Sequence, residues 1–118
     1  MPGLQAFPRN EHIRTSAEFR EVFDAGRRVS VRGFIGYFQD ASDGPRKFGM
    51  AVSRKVGNAV VRNRVKRYLR EVYRRNRVTL RDGLCIVVVA RPEAATMDYF
   101  QCETAIESLF RKGGARDE

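Results

Sequence analysis

Hydrophobic spacing changes character several times along the chain. In "TSAEFREVFDAG" (15–26) Phe19, Val22 and Phe23 recur at i, i+3 and i+4, the stripe of an amphipathic helix. Thr15 suits its N-cap, Glu18 stands at the capping-box position, and Gly26 is a natural stop. "VSVRGFIGYFQD" (29–40) is β-branched and aromatic and predicts a strand, with Phe34, Gly36 and Phe38 facing one side and Ile35 and Tyr37 the other. "ASDGP" (41–45) reads as a turn and "KFGMAVS" (47–53) as the next strand, so 29–53 predicts an antiparallel hairpin. Gly57 and Asn58 interrupt that pattern, and Asn58 suits the N-cap of a helix over 59–75. After a turn at "RDG" (81–83), "LCIVVVA" (84–90) is a strand whose unbroken apolarity predicts burial on both faces. "MDYFQCETAIESLFRK" (97–112) is a final helix with Phe100, Ile106, Leu109 and Phe110 available to pack. Residues 1–14 hold Pro2, Gly3 and Pro8 without any period and predict a loosely ordered arm, and 113–118 trail off as a tail. A single domain over 15–112 is expected, without repeats.

Charge alters this picture most at the helix over 59–75. The chain of 118 residues carries a formal +9, and residues 46–81 hold 13 of its 23 Lys and Arg but one of its 14 acids, Glu71. That stretch is therefore +12 and the rest of the chain −3. On a helical projection Val61, Val65, Tyr68, Leu69 and Val72 share an apolar arc about 100° wide, enough to dock on a sheet. Arg62, Asn63, Lys66, Arg67, Arg70 and Arg74 occupy the opposite arc, while Arg64 and Arg75 flank the apolar stripe near Glu71. Mixed-sign helix faces are ordinarily solvated surface. A single-signed, Arg-rich face that begins at a Gly-Asn helix start points instead to phosphate, through bidentate guanidinium contacts and the free N–H groups of the helix end. A nucleic acid is the expected partner. A membrane surface is not, because the opposite face is needed for the core and carries no exposed apolar wedge.

Other chemistry is sparse. Cys85 and Cys102 lack metal-ligand spacing and read as reduced, partly buried thiols of a cytoplasmic protein. No secretory signal is visible, and "LCIVVVA" is far too short to span a bilayer. His12 lies in the irregular arm and reads as a polar surface residue. No Ser/His/Asp set or carboxylate pair is visible, so no catalytic residue, metal ligand or protein-held cofactor is expected. "RGFIGYF" (32–38) partly matches the base-stacking motif of RNA-recognition domains, but Ile35 stands where Gly or Ala belongs and the element order is wrong. Tyr37 near Phe19 and Phe23 either forms a stacking surface for unpaired bases or simply fills core.

The stretch "FGMAVSRKVGNAVVRNRVKRYLRE" (48–71), preceded by "EFREVFDAGRR" (18–28) and followed by "IVVVARPEA" (86–94), resembles the protein component of bacterial ribonuclease P, with its Arg-Asn-Arg signature at Arg62-Asn63-Arg64. The resemblance covers roughly residues 12–112. It implies an α+β fold, a single α-β-β-β-α-β-α sandwich on a four-stranded sheet, although the residues alone mark three strands. It also implies a left-handed crossover at the basic helix, against the usual right-handed rule. It further implies a subunit that binds a catalytic RNA and precursor tRNA and assists removal of the 5′ leader, the chemistry resting on RNA-held Mg²⁺. By matching position, Arg54, Lys55, Asn58, Arg62, Asn63, Arg64, Lys66, Arg67 and Arg70 would touch the RNA subunit, and Phe19, Phe23 and Tyr37 would line the leader-binding cleft. A structural RNA-binding protein such as a ribosomal component would use the same charge comb, and only the signature and its flanks argue otherwise. Whether the particle dimerises is left open.

Overall fold

The computed structural model describes residues 7–40 and 44–115. Helix α1 (Ser16–Ala25) starts where its capping box places it. The Thr15 side chain accepts from the Glu18 N–H at 3.1 Å, and the Glu18 carboxylate accepts from the Thr15 N–H at 3.0 Å. Strands β1 (Arg27–Val31), β2 (Phe34–Asp40) and β3 (Lys47–Ala51) follow, then helix α2 (Ala59–Asn76), strand β4 (Leu84–Ala90) and helix α3 (Tyr99–Lys112). The order is that of the expected sandwich.

The expected hairpin over 29–53 is corrected. The run 29–40 is two strands: Arg32 and Gly33 turn the chain back, and Gly33 takes the left-handed conformation (φ 85°) such a tight turn needs. β1 and β2 therefore form the antiparallel hairpin, while β3 pairs with β4 in parallel, giving the sheet order β1-β2-β4-β3. A parallel pair cannot be closed by a tight turn, and α2 supplies the crossover. Ala41, Ser42 and Asp43 of the expected turn lie outside the described residues.

The two faces of the sheet differ. On one, the row Phe38–Ile86–Phe48 crosses β2, β4 and β3 and lies under α2 and α3 in the main core. On the other, the row Tyr37–Val87–Gly49 lies under α1, which buries Val87 together with Ile13 and Val22. One short helix does not cover four strands. Ile35, Tyr37, Val89 and Ala51 remain half-buried, so β4 is closed on both faces only in part.

Three further expectations change. Of the arm, residues 7–14 pack against the body: Glu11 and Ile13 are buried, Ile13 N–H donates to the Phe48 carbonyl at 3.1 Å, and His12 stacks on Phe7 with ring centres 3.7 Å apart. Of the tail, Ala115 is buried, and its carbonyl accepts from Arg81 N–H at 2.8 Å. The C-terminal helix packs through Cys102, Ile106, Leu109 and Phe110, whereas Phe100 points away and is 73% exposed. At 100° per residue Phe100 falls outside the arc those four share.

Candidate nucleic-acid interface

Helix α2 carries the basic face as its sequence spacing requires. Asn58 Oδ1 accepts from Val61 N–H at 3.0 Å and starts the helix, while Val65, Leu69, Val72 and Tyr73 are buried against the sheet and α3. Tyr73 is the anchor that the valine-centred reading missed. It falls at the edge of the basic arc between Arg62 and Lys66, and its ring stacks on Phe48 with centres 4.5 Å apart. Its signal in the sequence was an aromatic residue four positions after Leu69, which extends the apolar stripe by one turn.

The opposite face is cationic and open. Arg54 and Lys55, in the turn before α2, and Asn63, Arg67 and Arg70 are exposed; Arg62 and Lys66 are half-buried. Among the described residues no carboxylate lies within ion-pair distance of Arg54, Lys55, Arg62, Lys66, Arg67 or Arg70. Arg67 lies over the Tyr68 ring at 5.6 Å, and the Arg62 Nε is shielded from solvent without a hydrogen-bond partner. Such a comb repels itself, and an anionic surface relieves that repulsion.

Three of the basic residues belong to other contacts. Arg64 turns to the far side of the helix, where its guanidinium donates to the Ala95 carbonyl. Arg74 and Arg75 both donate to the Glu71 carboxylate, Arg75 at 2.9 Å. The Arg74 hydrogen bond, opposed by partial desolvation and joined by Arg75, holds Glu71 below its ordinary value. Asn58 spends its side-chain oxygen on the cap and keeps its amide N–H₂ for other partners.

A second feature is the cleft beside α1. Phe23 meets Tyr37 edge-on with ring centres 4.9 Å apart, and Phe19 lies 6.3 Å from Phe23. Phe19 rests on Gly49, where a β-carbon would come within 2.9 Å of the ring. Gly49 is thus needed for the close approach of helix and sheet. A groove of about 520 Å³ opens along Phe19, Phe23, Met50 and Ala51, with Arg20 and Asp24 at its sides. The structure brings the three expected aromatics together and adds Arg20, Met50 and Ala51. Only the position of Arg20 next to Phe19 could have signalled any of these.

Several carboxylates of the body are engaged with cations rather than gathered. Glu11 meets Arg77 and Arg46, Glu18 meets Lys47, Asp40 meets Arg27 and Arg81, and Glu71 meets Arg74 and Arg75. Among the described residues no group of three or more His, Cys, Asp or Glu could hold a metal ion. No helix among them is long and apolar enough to cross a membrane.

Comparison with known proteins places this architecture. The family model described as Ribonuclease P matches residues 7–114. A ribonuclease P protein component from Dictyoglomus thermophilum is 36% identical over 98% of both chains, and one from Geobacillus sp. is 38% identical over 87% of this chain and 90% of its own. The solved structure of the Staphylococcus aureus RNase P protein superposes with a TM-score of 0.83 at 28% identity, covering 91% of this chain and 98% of that one. The RNase P protein from Thermotoga maritima gives 0.78 at 27% identity, over 86% and 96%. The matches span the α1 cleft, the Arg-Asn-Arg helix and all four strands, and the chain belongs to the ribonuclease P protein component family, acting in tRNA 5′ processing.

Proposed function

We propose that this subunit binds the ribonuclease P RNA through the outer face of α2 and the turn before it, and receives the 5′ leader of precursor tRNA in the cleft beside α1. Arg54, Lys55, Arg62, Asn63, Lys66, Arg67 and Arg70 supply the phosphate contacts, helped by the amide of Asn58. Arg64 is chiefly a positioning residue that ties the helix to the Ala95 segment. Phe19, Phe23 and Tyr37 give an unpaired strand rings to stack on, and stacking tolerates the sequence differences among leaders. RNA-held Mg²⁺ supplies the hydrolytic chemistry. The protein's part is to neutralise phosphates so that two polyanions can approach, and to hold the leader away from the RNA it would otherwise repel.

The observation that carries this reading is the outer face of α2, where Arg62, Lys66, Arg67 and Arg70 have no carboxylate within ion-pair distance among the described residues. Reconstituted cleavage at limiting Mg²⁺ tests it: the protein should stimulate leader removal by the catalytic RNA, and Arg62→Ala with Arg67→Ala should abolish most of that gain. Co-binding to precursor tRNA without stimulation would favour a passive RNA-binding role and overturn it.

A further inference from the structure

The outer side of α3 holds a groove of about 520 Å³ that neither the RNA-facing helix nor the leader cleft uses. Phe100 lines it and is 73% exposed, against 37% for Phe23, the other exposed aromatic among the described residues. Arg32, from the β1–β2 turn, and Lys112, from the end of α3, also line it, and neither has an ion-pair partner among the described residues. Thr104 and Ser108 contribute hydroxyls. The one acid in the lining, Asp98, is tied up as the cap of α3, accepting from Gln101 N–H at 2.8 Å. An aromatic face, two uncompensated cations and small hydroxyls around a volume of small-ligand size match a single nucleotide.

A chain of side chains joins this groove to the basic helix. Arg67 lies over Tyr68 at 5.6 Å, Tyr68 meets Tyr99 edge-on at 5.7 Å, and Tyr99 meets Phe100 at 5.8 Å. α2 and α3 share one side of the sheet, and the α1 cleft opens on the other. An RNA seated on α2 can therefore continue to Phe100 without crossing the sheet.

We propose that this groove binds an unpaired nucleotide of the ribonuclease P RNA, with its base stacked on Phe100 and its phosphate held by Arg32 and Lys112. The proposal rests on the reading of α2 as the RNA-subunit interface. Full-length protein is titrated with transcribed ribonuclease P RNA over a range of salt, beside a control carrying Arg62→Ala and Arg67→Ala. Phe100→Ala should weaken binding about 5- to 150-fold, the range of one lost base stack. Phe100→Tyr should retain affinity, and Phe100→Leu, which keeps apolar bulk without a π face, should lose it. Arg32→Ala combined with Lys112→Ala should lower the salt slope by about 0.7, the loss of one phosphate contact. Phe100 is mostly exposed, so its variants should unfold at the wild-type urea midpoint.

If Phe100→Ala weakens binding while the arginine control does not, the groove stands and the reading of α2 falls. If the control weakens binding and Phe100→Ala leaves it unchanged, the groove is overturned alone. Unchanged affinity in both overturns both. A loss seen only for leader-bearing precursor on the assembled particle would assign the groove to substrate, and a shift only in self-association would assign it to a second copy of the chain. Either result overturns the proposal.

Discussion

Tyr73 and Glu11 lie 62 residues apart in sequence and meet across a 2.7 Å hydrogen bond from the phenol to the carboxylate. Glu11 also accepts from Arg77 and lies 3.8 Å from Arg46, so the segment before α1 locks the C-terminal end of the basic helix to β3. Burial would raise the Glu11 pKa, but hydrogen bonds from Arg77 and Tyr73 and the two guanidinium charges outweigh it and hold it low. Burial, then Glu11, pushes the Tyr73 phenol well above its usual range. This buried cluster fixes the direction in which the arginine comb points.

Breaking the cluster should therefore cost more than deleting an exposed pair. Glu11→Ala takes the buried carboxylate away from Arg77, Arg46 and the Tyr73 phenol at once and should destabilise the fold by about 3 kcal/mol. Tyr73→Phe removes one hydrogen bond and should cost about 1–2 kcal/mol. Equilibrium urea unfolding measures both, and a Glu11→Ala loss below about 0.5 kcal/mol would class the cluster with ordinary surface pairs.

Acid should act on α1 through Glu18. Hydrogen bonds from the Thr15 backbone, from Lys47 and from the Arg14 backbone lower its pKa from 4.5 to about 2. A group depressed in the folded state contributes its stabilisation fully above the unfolded value and loses it as pH falls through the folded one. The Tm of the wild-type chain should thus fall between about pH 4.5 and pH 2, and Glu18→Gln should remove part of that slope while lowering the Tm at neutral pH. Parallel Tm–pH curves for the two proteins would show that Glu18 titrates like a free carboxylate.

Arg64 and Arg67 sit three residues apart but should fail in different ways. Arg67→Ala should leave stability within about 0.5 kcal/mol and lower the salt slope for the RNA subunit by about 0.7–0.9. Arg64→Ala strips the Ala95 carbonyl of its charged donor and should cost about 1.5–3 kcal/mol of stability. Thermal melts and salt-dependent binding of both variants decide this. A stable Arg64→Ala variant with a reduced slope would return Arg64 to the interface.

The cleft beside α1 should respond to Gly49 and Tyr37. Gly49→Ala forces Phe19 or Ile13 to move, since the new methyl would stand 2.9–3.0 Å from them. Tyr37→Ala removes a stacking face worth about 1–3 kcal/mol per base. Both should weaken the assembled particle's affinity for leader-bearing precursor more than for mature tRNA, whereas Tyr37→Phe should not. Equal losses for the two RNAs would make these residues core and nothing more.

Much of this was legible in local patterns. Thr15 with Glu18, and Asn58 before Ala59, announce helix starts because a cap is completed within four residues of chain. The arginine comb was legible for the same reason: residues on one helix face keep their relative directions wherever the helix docks. The resemblance carried by the Arg-Asn-Arg segment supplied the fourth strand that alternation did not separate at Arg32-Gly33. Alternation also could not select the partner of β3, since Phe48 and Met50 face the core equally well beside β2 or β4.

Sequence by itself thus determined the helices, their caps, and the sign and side of the charge. Each of these is settled by neighbours a few residues away. The tertiary structure alone decided that Glu11 is buried under the basic helix, that Arg64 turns inward to Ala95, that one short helix leaves part of the sheet uncovered beside a cleft, and that Phe100 stands exposed beside Arg32 and Lys112. These depend on which distant segments meet, and hydrophobic spacing records burial without recording against what.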